Sequence, residues 1–283
     1  MWTKQDEINF FRNSLSITDI DRLMYLINQH YYAFAPIGTN INNATVQSRN
    51  GILGSYTEKW ARDFFKGVVS VNKLKAINGV ICPEIGLTSA SSADLAFCTK
   101  EGVVQKPEDI RLIFEIKMGI VNNYTYNVDN NSFDFVGDYK THKGNPSLLR
   151  SDSMLKAIGK SINIRLCAKS KHIPIIVLGN SPITDSYTHK VDNLHRSGIV
   201  QHFISLYPNP TTANHVVETP DSGFITLKSE QESSDIMNEI LNTQFYYFSS
   251  MKSDKEIGEL ISKASKQPTD ELKGQEFLRL LDL

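Results

Sequence analysis

Ala93-Asp-Leu-Ala-Phe-Cys98, a turn and an irregular connection, and then Arg111-Leu-Ile-Phe-Glu-Ile-Lys-Met118 decide how this chain is read. Both runs are short, apolar and rich in strand-forming residues, and Thr99-Lys-Glu-Gly102 between them has the chemistry of a turn. In the second run Leu112, Phe114, Ile116 and Met118 share one face, while Ile113, Glu115 and Lys117 share the other, because side chains alternate along a strand. A glutamate and a lysine side by side within an apolar strand are unusual, since charges near a core need partners. In an antiparallel hairpin Asp94 comes opposite Glu115, so two carboxylates and one ammonium gather at one point of a sheet.

Working outward, residues from Ser151 to Leu166 carry Met154, Leu155, Ile158, Ile162 and Leu166 at helical spacing, and Ile173-Pro-Ile-Ile-Val-Leu178 is a buried strand closed by Gly179-Asn-Ser-Pro182. Strand, helix and strand in this order form a crossover unit, which implies a parallel pair in a mixed sheet. Val80-Ile-Cys82 and residues 199–207 are further candidate strands. Upstream, residues 5–32 read as helical and residues 36–54 as a loop. Ser55-Tyr-Thr-Glu58 reads as the capped start of a helix carrying Trp60, Ala61, Phe64 and Phe65, ended by Lys66-Gly67. Residues 122–150 show little periodicity, and residues 230–249, 253–265 and 269–282 read as helices. The expected fold class is α/β, a mixed central sheet flanked by helices with additional N- and C-terminal helices. Its organisation is a helical segment and loop over 1–50, a core over 51–207 and a mainly helical region over 208–283, together one compact domain.

Composition narrows the function. The 283 residues are 40% apolar and 10% aromatic, enough for a sizeable core. Formal net charge is −1, so the chain lacks the basic excess of a small nucleic-acid-binding domain, although acidic and basic groups can cancel in the sum and remain separate in space. Three cysteines, Cys82, Cys98 and Cys167, form no Cys-x-x-Cys pair, which argues against a disulfide framework and a cysteine zinc site. The N-terminus does not have the pattern of a signal peptide and no run of about 18 apolar residues occurs, so a cytoplasmic protein is expected. The seven histidines show no metalloprotease spacing, and P-loop, dinucleotide and Gly-x-Ser-x-Gly motifs are missing.

Two carboxylates beside a lysine suit phosphodiester hydrolysis. Mg²⁺ prefers oxygen ligands and neutralises phosphate charge, and an adjacent lysine orients or deprotonates the attacking water. The carbonyl of Ile116 is a candidate third ligand. At this point the chain resembles the PD-(D/E)XK nuclease superfamily, with Asp94 and Glu115-x-Lys117 as the matching residues and Ala93 standing where the motif has proline. The resemblance implies a restriction-endonuclease-like core and Mg²⁺-dependent DNA cleavage, with Mn²⁺ as a substitute. It also implies a homodimer acting on a specific short duplex site. Asp94 and Glu115 would bind metal and Lys117 would serve the water. Glu58 matches a glutamate that many members carry on the preceding helix. A structure-specific or repair nuclease of the same superfamily, or a non-catalytic DNA-binding protein on a decayed core, are the alternatives.

Candidate DNA contacts lie in three polar segments. The first holds Asn122, Asn123, Tyr124, Tyr126, Lys140, His142, Lys143, Asn145 and Arg150. The second holds Tyr187, His189, Lys190, His195 and Arg196. The third, from Tyr31 to Asn50, holds Asn40, Asn42, Asn43, Gln47 and Arg49.

Overall fold

A computed structural model describes residues 1–39, 47–207, 216–247 and 252–281. The chain divides into two compact units, residues 1–245 and 246–283. The first unit runs past residue 207, since a strand and a helix beyond that residue belong to it.

In chain order the first unit contains α1 (Lys4–Leu15), β1 (Tyr25–Ile27), β2 (His30–Tyr32), α2 (Gln47–Phe64), α3 (Lys66–Val71), β3 (Lys75–Val80), β4 (Ala93–Cys98), β5 (Ile110–Lys117), β6 (Asn123–Asn127), β7 (Ser132–Gly137), α4 (Ser151–Arg165), β8 (Ile175–Gly179), α5 (Thr188–Arg196), β9 (His202–Ser205), β10 (Phe224–Thr226) and α6 (Glu230–Asn242). The expected mixed α/β fold is present. A six-stranded sheet runs in the order β10-β9-β8-β5-β4-β3. β3, β4 and β5 are antiparallel neighbours, whereas β5, β8, β9 and β10 are parallel.

The alternation read in β5 sorts the core into two sides. Leu112, Phe114 and Ile116 pack with Leu95, Phe97, Phe65 and residues of α1, α2, α3 and α6. Ile113 faces the other way, joining Ala96, Ile175 and Ile164 of α4. A third cluster sets Met154 and Ala157 of α4 against Tyr187, Val191, Val177 and Phe203. Helices therefore cover both faces of the sheet, as a parallel segment with buried strands requires. At the end of β8, a Cβ on Gly179 would stand 2.5 Å from the buried Leu148 side chain, so this position must stay bare for the 147–149 turn to close over the strand.

Several expectations are corrected. The helical reading of residues 5–32 holds for α1 and for one 3-10 turn at Ile20–Arg22. Asn28 and Gln29 take left-handed backbone angles (φ 49° and 68°) and turn the chain into the β1–β2 hairpin. α2 begins at Gln47, so Ser55 and Glu58 are interior rather than capping. The buried Arg49 and Leu53 extend its packed face upstream, and Gly51 and Gly54 do not break it. Gly67 likewise lies inside α3. The upstream strand is β3, ending at Val80 rather than starting there. Residues 123–137 form the β6–β7 hairpin, which joins β1–β2 in a second, four-stranded sheet of order β1-β2-β6-β7. α6 stops at Asn242, short of the expected 249. No helix among the described residues is long and apolar enough to cross a membrane.

The second unit consists of α7 (Asp254–Ala264) and α8 (Asp270–Leu281), packed on one another. Ser253 caps α7 reciprocally with Glu256, as the Ser-x-x-Glu pattern dictates.

Candidate active site

The antiparallel register that sets Leu95 against Phe114 brings Asp94 level with Glu115. Asp94 is fixed there by the Ile116 backbone N–H, which donates to its Oδ2 at 2.7 Å. Lys117, the last residue of β5, folds back so that its ammonium pairs with Glu115 Oε1, lies 3.5 Å from Asp94 Oδ2, and donates to the Ile116 carbonyl at 3.2 Å. These three groups were the candidate metal ligands of the sequence, and one cationic nitrogen touches all of them.

A fourth side chain completes the group. Lys160, on α4, donates to Asp94 Oδ1 at 2.9 Å and contacts Glu115 Oε2 at 2.5 Å. Sequence reasoning missed it. The available signal was its register: Ala157, Ser161 and Ile164 of α4 are buried, and Lys160 interrupts that stripe with a charge. Glu58 approaches from α2, where Asn78 Nδ2 straps the two elements by donating to the carbonyls of both Glu58 and Asp94, each at 2.9 Å.

The electrostatics follow from burial. Glu115 is 7% exposed at its side chain, and burial, reinforced by Asp94, raises its pKa despite the two lysines. Burial pulls Lys160 downward, but Asp94 and Glu115 outweigh it and hold the ammonium above its ordinary range. Burial, followed by the charge on Asp94, lifts the half-buried Glu58 from 4.5 to about 7. Folded Glu58 thus holds a proton that the unfolded chain has released, so without divalent cations its contribution to stability falls as pH rises from 4.5 to about 7. Denaturation midpoints across that interval are expected to flatten in Glu58→Gln; an unchanged slope would refute this.

β5 and β8 are parallel, and Lys117 is level with Gly179 at their carboxyl ends, where open α/β sheets leave a crevice. A cleft of about 660 Å³ opens there, bordered by Arg49 and Asn50 of α2, Lys117, Asn145, and Arg150 and Lys156 at the start of α4. Arg150 is paired with Asp152 at 2.9 and 3.0 Å, and Lys156 is exposed. Arg49 is buried, donating through Nη1 to the Leu23 and Ala33 carbonyls, while its Nε finds no hydrogen-bond partner among the described residues.

The candidate DNA contacts divide. Arg150 borders the cleft, and Lys140, Lys190 and Arg196 are exposed, with Arg196 paired to Asp221. Asn122 and Tyr124 are corrected: both are buried and hydrogen-bonded to the carboxylate of Glu7, leaving no edge for a base. His142 is buried and stacked on Phe34 at 3.9 Å, and Lys143 donates to the Thr39 carbonyl. Tyr187 is buried in the third core cluster. Polar residue type suggested exposure, but each of these side chains finds its partner across the chain. Asn40, Asn42 and Asn43, with the side chain of Gln47, lie outside the described residues.

Among the described residues no three histidine, cysteine, aspartate or glutamate side chains converge in a metal-holding group. The oxygens that could hold a cation here are those of two carboxylates and the Ile116 main-chain carbonyl. That donor set is all oxygen and suits Mg²⁺, which retains several waters. No protein-family model, curated protein or solved structure matches the chain.

Proposed function

We propose that this chain is a Mg²⁺-dependent DNA endonuclease of the PD-(D/E)XK type, with the restriction-endonuclease-like core formed by α2, β3–β5, α4 and β8. One observation carries the reading: a single ammonium nitrogen reaches Asp94, Glu115 and the Ile116 carbonyl at once. The two carboxylates are therefore close enough to share one cation, and the lysine lies on their side of the sheet. A buried ionic group often stabilises a fold no more than apolar packing of the same volume does, so stability is weak ground for keeping one here.

Asp94, Glu115 and the Ile116 carbonyl would hold Mg²⁺, which supplies neutralisation of phosphate charge and a more acidic water. Lys117 orients that water and stabilises developing negative charge. Glu58 approaches the same group from α2, and in the metal-free protein burial and the Asp94 charge raise its pKa. Arg150 and Lys156 line the approach for a phosphodiester backbone. A type II restriction enzyme acting as a homodimer on a short duplex site is the specific form proposed. Incubation of the purified protein with plasmid DNA and Mg²⁺, followed by sequencing of the ends, tests it. Discrete fragments with common termini are expected; intact plasmid would overturn the nuclease reading, and random ends would replace restriction by a less selective nuclease.

Arg150→Ala with Lys156→Ala is expected to weaken DNA binding across all sequences and to reduce the salt slope by roughly one for each phosphate left without its cation. Fluorescence anisotropy over a salt series measures this; an unchanged slope removes the cleft from the DNA path.

A further inference from the structure

The oxygens of Asp94 and Glu115 are divided between two cations. Lys117 takes Asp94 Oδ2 and Glu115 Oε1, together with the Ile116 carbonyl. Lys160 takes the remaining pair, Asp94 Oδ1 and Glu115 Oε2, at 2.9 and 2.5 Å. The carboxylate pair thus offers two bridging positions. They are not equivalent. The Lys117 position has a third protein oxygen beside it, and Lys117 comes from the strand end that lines the open cleft. The Lys160 nitrogen projects from the middle of α4, and the two lysine side chains are about equally buried, 17% exposed against 19% for Lys117.

We infer that the site takes a single divalent cation, on the Lys117 side, and that Lys160 is a fixed positive charge standing where a second cation would otherwise bind. The inference rests on the nuclease reading and deepens it. Charge supports the assignment. Asp94 and Glu115 are already matched, charge for charge, by Lys117 and Lys160. One divalent cation with one phosphodiester adds a single positive charge to that group. A second divalent cation would add two more with the Lys160 ammonium still in place, which is costly in a half-buried site, whereas Lys160→Gln lowers the total by one and vacates two carboxylate oxygens. Lys160 is accordingly a positioning residue: it acts on the substrate through the carboxylates it holds.

Calorimetric titration of the full chain with Mn²⁺ alone, with no DNA, counts the cations without reference to activity. Wild type is expected to bind one equivalent, Lys160→Arg also one, and Lys160→Gln two, because the vacated oxygens then accept a second ion. Two equivalents in wild type would overturn the inference whether or not the variants fold. One equivalent in a folded Lys160→Gln would overturn it as well, since the ammonium would not be what excludes the second ion. Binding of no Mn²⁺ by wild type would remove the nuclease reading itself, and the inference with it.

Discussion

Lys117→Ala is expected to slow Mg²⁺-dependent DNA cleavage by roughly 10²–10⁴-fold, the usual contribution of one positioned acid–base or charge-stabilising group. Metal affinity should behave differently. The Lys117 ammonium contacts the same three oxygens that would hold the cation, so its removal relieves a competitor, and Mn²⁺ binding should be retained or tightened. Glu115→Ala removes a bridging carboxylate and should lose both cleavage and Mn²⁺ binding. A lysine with only a structural role would not give this split. Single-turnover cleavage combined with Mn²⁺ calorimetry makes the comparison. Cleavage within a factor of about three of wild type in Lys117→Ala would exclude the assigned role.

The largest stability effect is expected at a residue outside the Asp94–Glu115 cluster. Glu7, on α1, is fully buried and accepts from Trp2 Nε1 at 3.3 Å, the Val121 N–H at 2.6 Å, the Asn122 N–H at 3.2 Å, Asn122 Nδ2 at 2.8 Å and the Tyr124 hydroxyl at 2.8 Å. This carboxylate ties the N-terminal helix to the segment that leaves β5 and starts the small sheet. Glu7→Ala leaves several buried donors without an acceptor, each costing about 1–3 kcal/mol, and the sum should reach about 3–5 kcal/mol after relaxation. Thermal unfolding should then begin on the order of 10 °C lower. A loss below about 1 kcal/mol in urea titration would mean that water enters and serves those donors.

Legibility in the sequence followed the range of the interactions. β4, β5, α4 and β8 could be read because their patterns are local: alternation around Glu115, helical spacing through Met154 and Ile158, and an unbroken apolar run at Ile173–Leu178. Asp94 and Glu115 came with them, since strand pairing alone sets them opposite. The small sheet was not readable. Its central pairing, Tyr31 with Tyr126, joins distant segments, and its hairpin turn depends on Asn28 and Gln29 tolerating left-handed angles. Asn122 and Tyr124 read as surface groups in the sequence because their acceptor, Glu7, lies more than a hundred residues away. Lys160 was passed over for a related reason. A lysine on a helix usually reaches solvent, and only the tertiary contact with two carboxylates distinguishes this one.

Anomalous diffraction from crystals soaked in Mn²⁺ tests the shared-cation site most directly. The expected map has one peak per chain, in contact with Asp94, Glu115 and the Ile116 carbonyl, with Lys160 still holding the opposite carboxylate oxygens. A map with no peak between Asp94 and Glu115 would contradict the metal-dependent chemistry proposed for this protein.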